Sequence, residues 1–158
     1  MDQVKPSFQR VQDVLANLDV STDIKELPHS TRTAAEAAAA VGCHVGQIVK
    51  SLVFQTKSSQ KPLLVLTSGS NQVNEDHVGA LIGEEIQFAS ARFVRDQTGF
   101  AIGGVSPFGL SQKIPIFVDK DLLEHPIIWA AAGSPNAVFS IRPMELVSAT
   151  SGQVISIQ

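Results

Sequence analysis

The chain has 158 residues, of which 44% are hydrophobic and 17% charged, enough for one well-buried core and short for two. A single cysteine, Cys43, excludes an intramolecular disulfide, and without a CxxC or His/Cys cluster there is no zinc-ligand set, so a reducing cytoplasm is expected and no metal or cofactor. A net charge of −3, from 12 basic and 15 acidic residues, argues against a protein that grips a long DNA duplex by its phosphates. No apolar run approaches the roughly 20 residues that span a bilayer, so no membrane partner is expected.

The amino terminus, Met1-Asp2-Gln3-Val4-Lys5-Pro6, is charged and lacks the apolar segment of a secretory signal. From 7 to 18, Phe8, Val11, Val14, Leu15 and Leu18 recur at three- and four-residue spacing and predict a packing helix. A short strand fits 23–27. Thr33-Ala34-Ala35-Glu36 reads as a capping box opening an Ala-rich helix that stops near Gly42. The β-branched and apolar segments 47–56 and 62–67, separated by a polar loop, predict a hairpin in the core. Asn74 caps a helix ending near Gly83, 85–89 fits a short strand, and Ser90 caps a helix reaching about Gln97. Further strands fit 114–118, 127–131, 137–141 and 153–157, with Pro143 opening a short helix. Strands and helices interleave without a regular βαβ rhythm, which predicts one α+β domain over 1–158. Its sheet should be mixed and strongly curved or barrel-like, flanked by helices, rather than doubly wound and parallel.

Lys50 is the only charge between Ile48 and Thr56. It either snorkels to water from a strand end or brings its charge to the mouth of a pocket, near a phosphate or a developing oxyanion. The stretch 98–109 holds four glycines and a proline among apolar residues, so it is either a plain turn or a loop whose backbone N–H groups a substrate can approach. Gly104-Val105-Ser106 is not a nucleophile elbow: residue 108 is Phe where G-x-S-x-G needs glycine, and Pro107 has no N–H for an oxyanion hole. Cys43 and His44 read as a helix-end cysteine and a surface histidine, and His29, His77 and His125 are scattered singly. Glu84 with Glu85, and Asp119 with Asp121, read as a turn and a solvated helix start. The loop Ala132-Gly133-Ser134-Pro135-Asn136 is either a hairpin turn or the opposite wall of the pocket.

Several of these segments in their order carry a resemblance: Thr33-Ala34-Ala35 before a helix, Ile48-Val49-Lys50-Ser51-Leu52-Val53, Thr98-Gly99-Phe100 leading into Gly103-Gly104-Val105-Ser106-Pro107-Phe108-Gly109, and Gly133-Ser134. From about Pro28 to Ile157 the chain resembles the YbaK/ProX family of aminoacyl-tRNA deacylases. The resemblance implies a barrel-like mixed sheet and a pocket for the aminoacyl-adenosine end of a mischarged tRNA, commonly proline tRNA carrying cysteine or alanine. It places Lys50 at the family's key lysine, 103–107 at its G-x-x-x-P loop and Thr33 at the amino-acid pocket. Some members acting on alanine have asparagine after the lysine, and some carry a histidine in the late loop region; here Ser51 follows Lys50, and 129–136 holds no histidine.

On this reading Lys50 anchors the terminal nucleotide and the N–H groups of Gly103 and Gly104 polarise the ester carbonyl, while the ribose hydroxyl helps orient water. Thr33, Ser51, Thr98, Ser106, Pro107, Gly133 and Ser134 are expected to contact substrate. The expected partners are the acceptor end of an aminoacyl-tRNA and an aminoacyl-tRNA synthetase. Two other readings stand beside it: a non-catalytic module of the same fold that binds tRNA or a synthetase, and a hydrolase of small esters unrelated to tRNA.

Overall fold

Three helices begin where a side-chain oxygen can take the N–H left unpaired in a first turn. Thr33, Asn74 and Ser90 accept from the N–H of Glu36 (3.1 Å), His77 (3.0 Å) and Phe93 (3.2 Å), and so start α2 (Ala34–Val41), α3 (Glu75–Ile82) and α4 (Ala91–Thr98). Two more helices, α1 (Ser7–Asn17) and α5 (Pro143–Thr150), lie near the ends of the chain. The protein is seen in a computed structural model that describes residues 7–20, 22, 24–27 and 33–158. The readings that fall on 1–6, on Asp23 and on His29 lie outside the described residues.

The strands are β1 (Ile24–Glu26), β2 (Val49–Thr56), β3 (Pro62–Ser68), β4 (Ile86–Phe88), β5 (Ile116–Asp119), β6 (Ile128–Ala131), β7 (Ala137–Ile141) and β8 (Gln153–Ile155). They form a five-stranded sheet in the order β4-β2-β3-β5-β8 and a three-stranded sheet in the order β1-β7-β6. In the larger sheet β4, β2 and β3 pair antiparallel, whereas β3-β5 and β5-β8 pair parallel, so the expected α+β class with a mixed sheet is present. The barrel-like closure is not. Among the described residues the two sheets share only a parallel bridge between Ile48 and Trp129, and hydrogen bonding does not run round from one to the other.

Alternation along β2 and β3 sends side chains to two cores. Val49, Val53, Leu64 and Leu66 enter the larger one with Val105, Ala130, Phe139, Leu146 and the α1 residues Val11 and Leu15. Phe54, Leu63 and Val65 enter the smaller one with Val78 of α3, Ile155 and Ile157. Helix α1 also clamps the glycine-rich loop: the Arg10 guanidinium lies 4.7 Å over the Phe100 ring and donates to Gly99 O at 2.8 Å.

Candidate functional site

The sheets part along the outer edge of β2. That edge touches β6 at Ile48, and β4 takes up pairing only from Phe54 onward, with one further bond from Ala89 N to Val53 O at 3.1 Å. Between those points β2 has no strand partner on this side among the described residues, and alternation puts the main-chain N–H and C=O of Ser51 on the same edge as those of Val53. A cavity of about 910 Å³ opens there. Its walls come from the start of α2 (Thr33, Ala34), β2 (Val49 to Val53), the loop residues Ile102, Gly103 and Val105, and β6 with its hairpin (Trp129, Ala130, Pro135).

The wall is mostly apolar, with few polar groups, as small-molecule sites commonly are. Ser51 Oγ is buried and has no hydrogen-bond partner among the described residues, although it borders the cavity. Lys50 borders it too, half-buried, with Nζ donating to Asn71 O at 2.5 Å. Burial pushes the Lys50 ammonium below the ordinary lysine range, and the carboxylate of Asp119 pulls it part of the way back. Thr33 lines the cavity while its hydroxyl oxygen caps α2.

The glycine-rich loop meets the cavity at one residue of the expected pair of N–H donors. Gly103 has φ +89°, a left-handed conformation that glycine adopts freely, and lines the wall with open space around it. Gly104 does not line it. Its N–H donates to Ala101 O at 3.0 Å, and a Cβ there would lie 2.9 Å from Ser134 Cα. Gly104 therefore lets the loop lie directly against the β6–β7 hairpin, and its N–H is engaged in a turn.

The remaining expected contacts stand behind the wall or away from it. Gly133 and Ser134 belong to the hairpin, which Ala132 N closes onto Ala137 O at 2.8 Å, and Ser134 Oγ donates to Asn136 Oδ1 at 3.2 Å. Thr98 is fully buried; its hydroxyl donates to Val94 O at 2.6 Å and accepts from Phe100 N at 3.0 Å, ending α4. Ser106, also fully buried, accepts from Phe108 N at 3.1 Å, and Pro107 faces a separate cavity of about 520 Å³ between α1 and α5. The cavity thus brings together Thr33, Lys50, Ser51 and Gly103. It does not gather Thr98, Ser106 or Pro107, which shape the loop from within.

Sequence reasoning passed over three residues of the site and misjudged the burial of a fourth. Phe88 and Ile102, 58% and 56% exposed, are large apolar groups on the cavity's rim, and Trp129 lines its far wall. Asp119 corrects half of its expectation: it does cap a helix start, accepting from Asp121 N at the head of the 3-10 turn Lys120–Glu124, but it is 1% exposed and not solvated. The signal for Asp119 was slight, an acid ending an apolar run that proved to be a central parallel strand. Cys43 and His44 match their reading as helix-end cysteine and surface histidine: Cys43 follows the Gly42 cap, and burial pushes its thiol up, away from reactivity.

A family model described as the aminoacyl-tRNA editing domain matches residues 29–149. The chain belongs to that family. A solved structure described as a candidate trans-editing enzyme for prolyl-tRNA synthetase superposes on this editing domain with a TM-score of 0.91, at 44% identity and covering 99% of both chains. The uncharacterized protein YwhH of Bacillus subtilis is 29% identical over 140 residues, 89% of this chain and 88% of its own. The proline–tRNA ligase of Bacillus licheniformis is 38% identical over 102 residues, 61% of this chain and only 18% of the ligase. The editing domain thus matches nearly the whole of a small free-standing relative and less than a fifth of a synthetase.

Proposed function

We propose that this editing domain is an aminoacyl-tRNA deacylase acting in trans, which hydrolyses the ester of a small amino acid such as cysteine or alanine wrongly attached to proline tRNA. The observation that carries the reading is the cavity at the parted edge of β2, where Lys50, the unpaired Ser51 hydroxyl and the open backbone at Gly103 border one mostly apolar space. At about 910 Å³ it lies in the size range of sites that enclose a drug-sized ligand, which suits an amino acid esterified to a nucleoside.

An aminoacyl ester is activated by its neighbouring ribose hydroxyl, so positioning water and stabilising the oxyanion are enough for catalysis. The Gly103 N–H polarises the carbonyl. Lys50 has one N–H on Asn71 O and keeps two for the terminal nucleotide. The Ser51 hydroxyl, with the main-chain groups beside it, receives the polar end of the amino acid. Close walls from Val53, Val105 and Ala130 set the size limit. A hydrolytic sieve is useful here because binding discriminates one methylene by only about 1 to 3 kcal/mol.

The test is release of amino acid from cysteine, alanine, serine and threonine carried on proline tRNA and on their own tRNAs, with wild type beside Lys50→Ala. Hydrolysis of one or two substrates, collapsing to a slow residual rate in the variant, is the expected result. No hydrolysis of any of them, with tRNA binding retained, would replace the deacylase with a non-catalytic module that binds tRNA or a synthetase. Hydrolysis of simple amino-acid esters as fast as of intact aminoacyl-tRNA would point instead to a hydrolase of small esters.

A further inference from the structure

Alternation along β2 puts Lys50 on the opposite face of the sheet from Ser51, and there it meets a polar cluster that the mechanism above does not use. Asp119 ends β5, buried to 1% exposure. Its Oδ2 accepts from Ser68 N at 3.0 Å and from Asn71 Nδ2 at 2.9 Å, and its Oδ1 accepts from Asp121 N at 3.0 Å. Asn71 Nδ2 also donates to Asp121 Oδ2 at 2.8 Å, and Asn71 N donates to Ser68 O at 2.9 Å. The side-chain amide and the main-chain N–H of Asn71 are thus both held, and its carbonyl receives the Lys50 ammonium.

A buried carboxylate is costly unless donors and an opposite charge compensate it. Three N–H donors supply most of that compensation here, and Lys50 supplies the charge. A flexible four-carbon side chain would otherwise sample many positions at a cavity wall. We propose that Asp119 is a positioning residue for Lys50, acting through Asn71: it fixes the Asn71 carbonyl so that the ammonium is held at the edge of the cavity. This rests on the reading of Lys50 as the group that holds the substrate's terminal nucleotide. It assigns Asp119 and Asn71 to the site without direct contact with substrate. Asp119 and Asp121 are the carboxylates of this cluster, and the exchange of one of them alters the field on Lys50 directly.

The experiment is a double-mutant cycle with a second readout that needs no deacylation. Asp119→Asn keeps the shape, removes the charge and leaves one acceptor oxygen for the three N–H donors that face Asp119, so the hold on Asn71 loosens. It is expected to lower kcat/KM roughly tenfold with Lys50 present and to have no further effect in Lys50→Ala, the non-additivity of residues that act as a unit. Asn71→Ala should behave the same way and serves if Asp119→Asn does not fold. Independent, additive losses would overturn the proposal. The second readout is acetylation of lysine amines across a pH series, quantified by mass spectrometry, with Lys57 and Lys61, at the far turn of the β2–β3 hairpin, as references. Loss of the Asp119 charge should move the Lys50 midpoint down while the references stay put. A Lys50 midpoint that does not move would overturn the coupling. Absence of deacylation in the wild type would sink the deacylase reading, and the acetylation midpoint would still decide whether Asp119 governs Lys50.

Discussion

The Ser51 hydroxyl has no hydrogen-bond partner among the described residues, and its oxygen is buried against the cavity. A buried polar group left unpaired costs about 1 to 3 kcal/mol, so the fold alone gives no reason for an oxygen there. Ser51→Ala is expected to leave stability unchanged or raise it by about 1 kcal/mol in thermal or denaturant unfolding, while kcat/KM for deacylation falls. Loss of stability together with activity would make Ser51 a packing residue. Lys50 gives a second prediction through its pKa. Burial lowers the folded-state value below that of the unfolded chain, with Asp119 opposing the shift. Between the two values the unfolded chain binds more protons. The cost of burying the ammonium is therefore present at neutral pH and relieved as pH rises toward the ordinary lysine value near 10.4. Activity that needs the ammonium moves the other way. The alkaline fall of kcat/KM, after subtraction of uncatalysed ester hydrolysis, is expected to begin below the usual lysine range, and to begin lower still in Asp119→Asn.

At the scale of elements, the site depends on two loops touching without side chains between them. A Cβ on Gly104 would lie 2.9 Å from Ser134 Cα and 3.0 Å from its carbonyl carbon, backbone atoms that yield only if the β6–β7 hairpin shifts. Gly104→Ala is expected to cost about 1 to 3 kcal/mol by denaturant unfolding and to lower deacylation, because overpacking here moves a cavity wall. Gly103→Ala meets no atom within 4 Å and bears only the strain of φ +89°, about 1 kcal/mol. The reverse order of destabilisation would mean that the loop and the hairpin do not support one another. Most elements were legible because their signals are local. Thr33, Asn74 and Ser90 marked three helix starts, and polar residues 57–61 marked the β2–β3 turn. The 3-10 turn Val45–Gln47 was not, and Lys120–Glu124 only at its Asp119 cap, since so few residues carry no periodicity. Lys50 and Gly103 were legible as oddities, a lone charge in a strand and a glycine-rich loop. Asp119 was not, because its burial comes from β3 and Asn71, 48 or more positions away.

For the whole molecule, the number of strands could be read from the chain, but which edges stay unpaired could not. Pairing of β2 with β4 stops at Phe54 and its bridge to β6 at Ile48, and the bare edge between them makes the cavity. That outcome depends on how two sheets meet around one core, a long-range matter that no window of sequence holds. The same geometry bears on how tRNA is held. If binding is centred on this cavity, the protein grips an acceptor end and few phosphates of the duplex, as a chain with net charge −3 should. The slope of log K against log salt for tRNA binding is then expected to be shallow, about −2, corresponding to two or three phosphate contacts at roughly −0.7 to −0.9 each. A stripped acceptor-stem fragment should bind nearly as well as whole tRNA, and an isolated aminoacyl-nucleoside measurably less well. A slope of about −6 or steeper would require a basic footprint reaching far beyond Lys50, and would place recognition on the body of the tRNA rather than at the parted edge of β2.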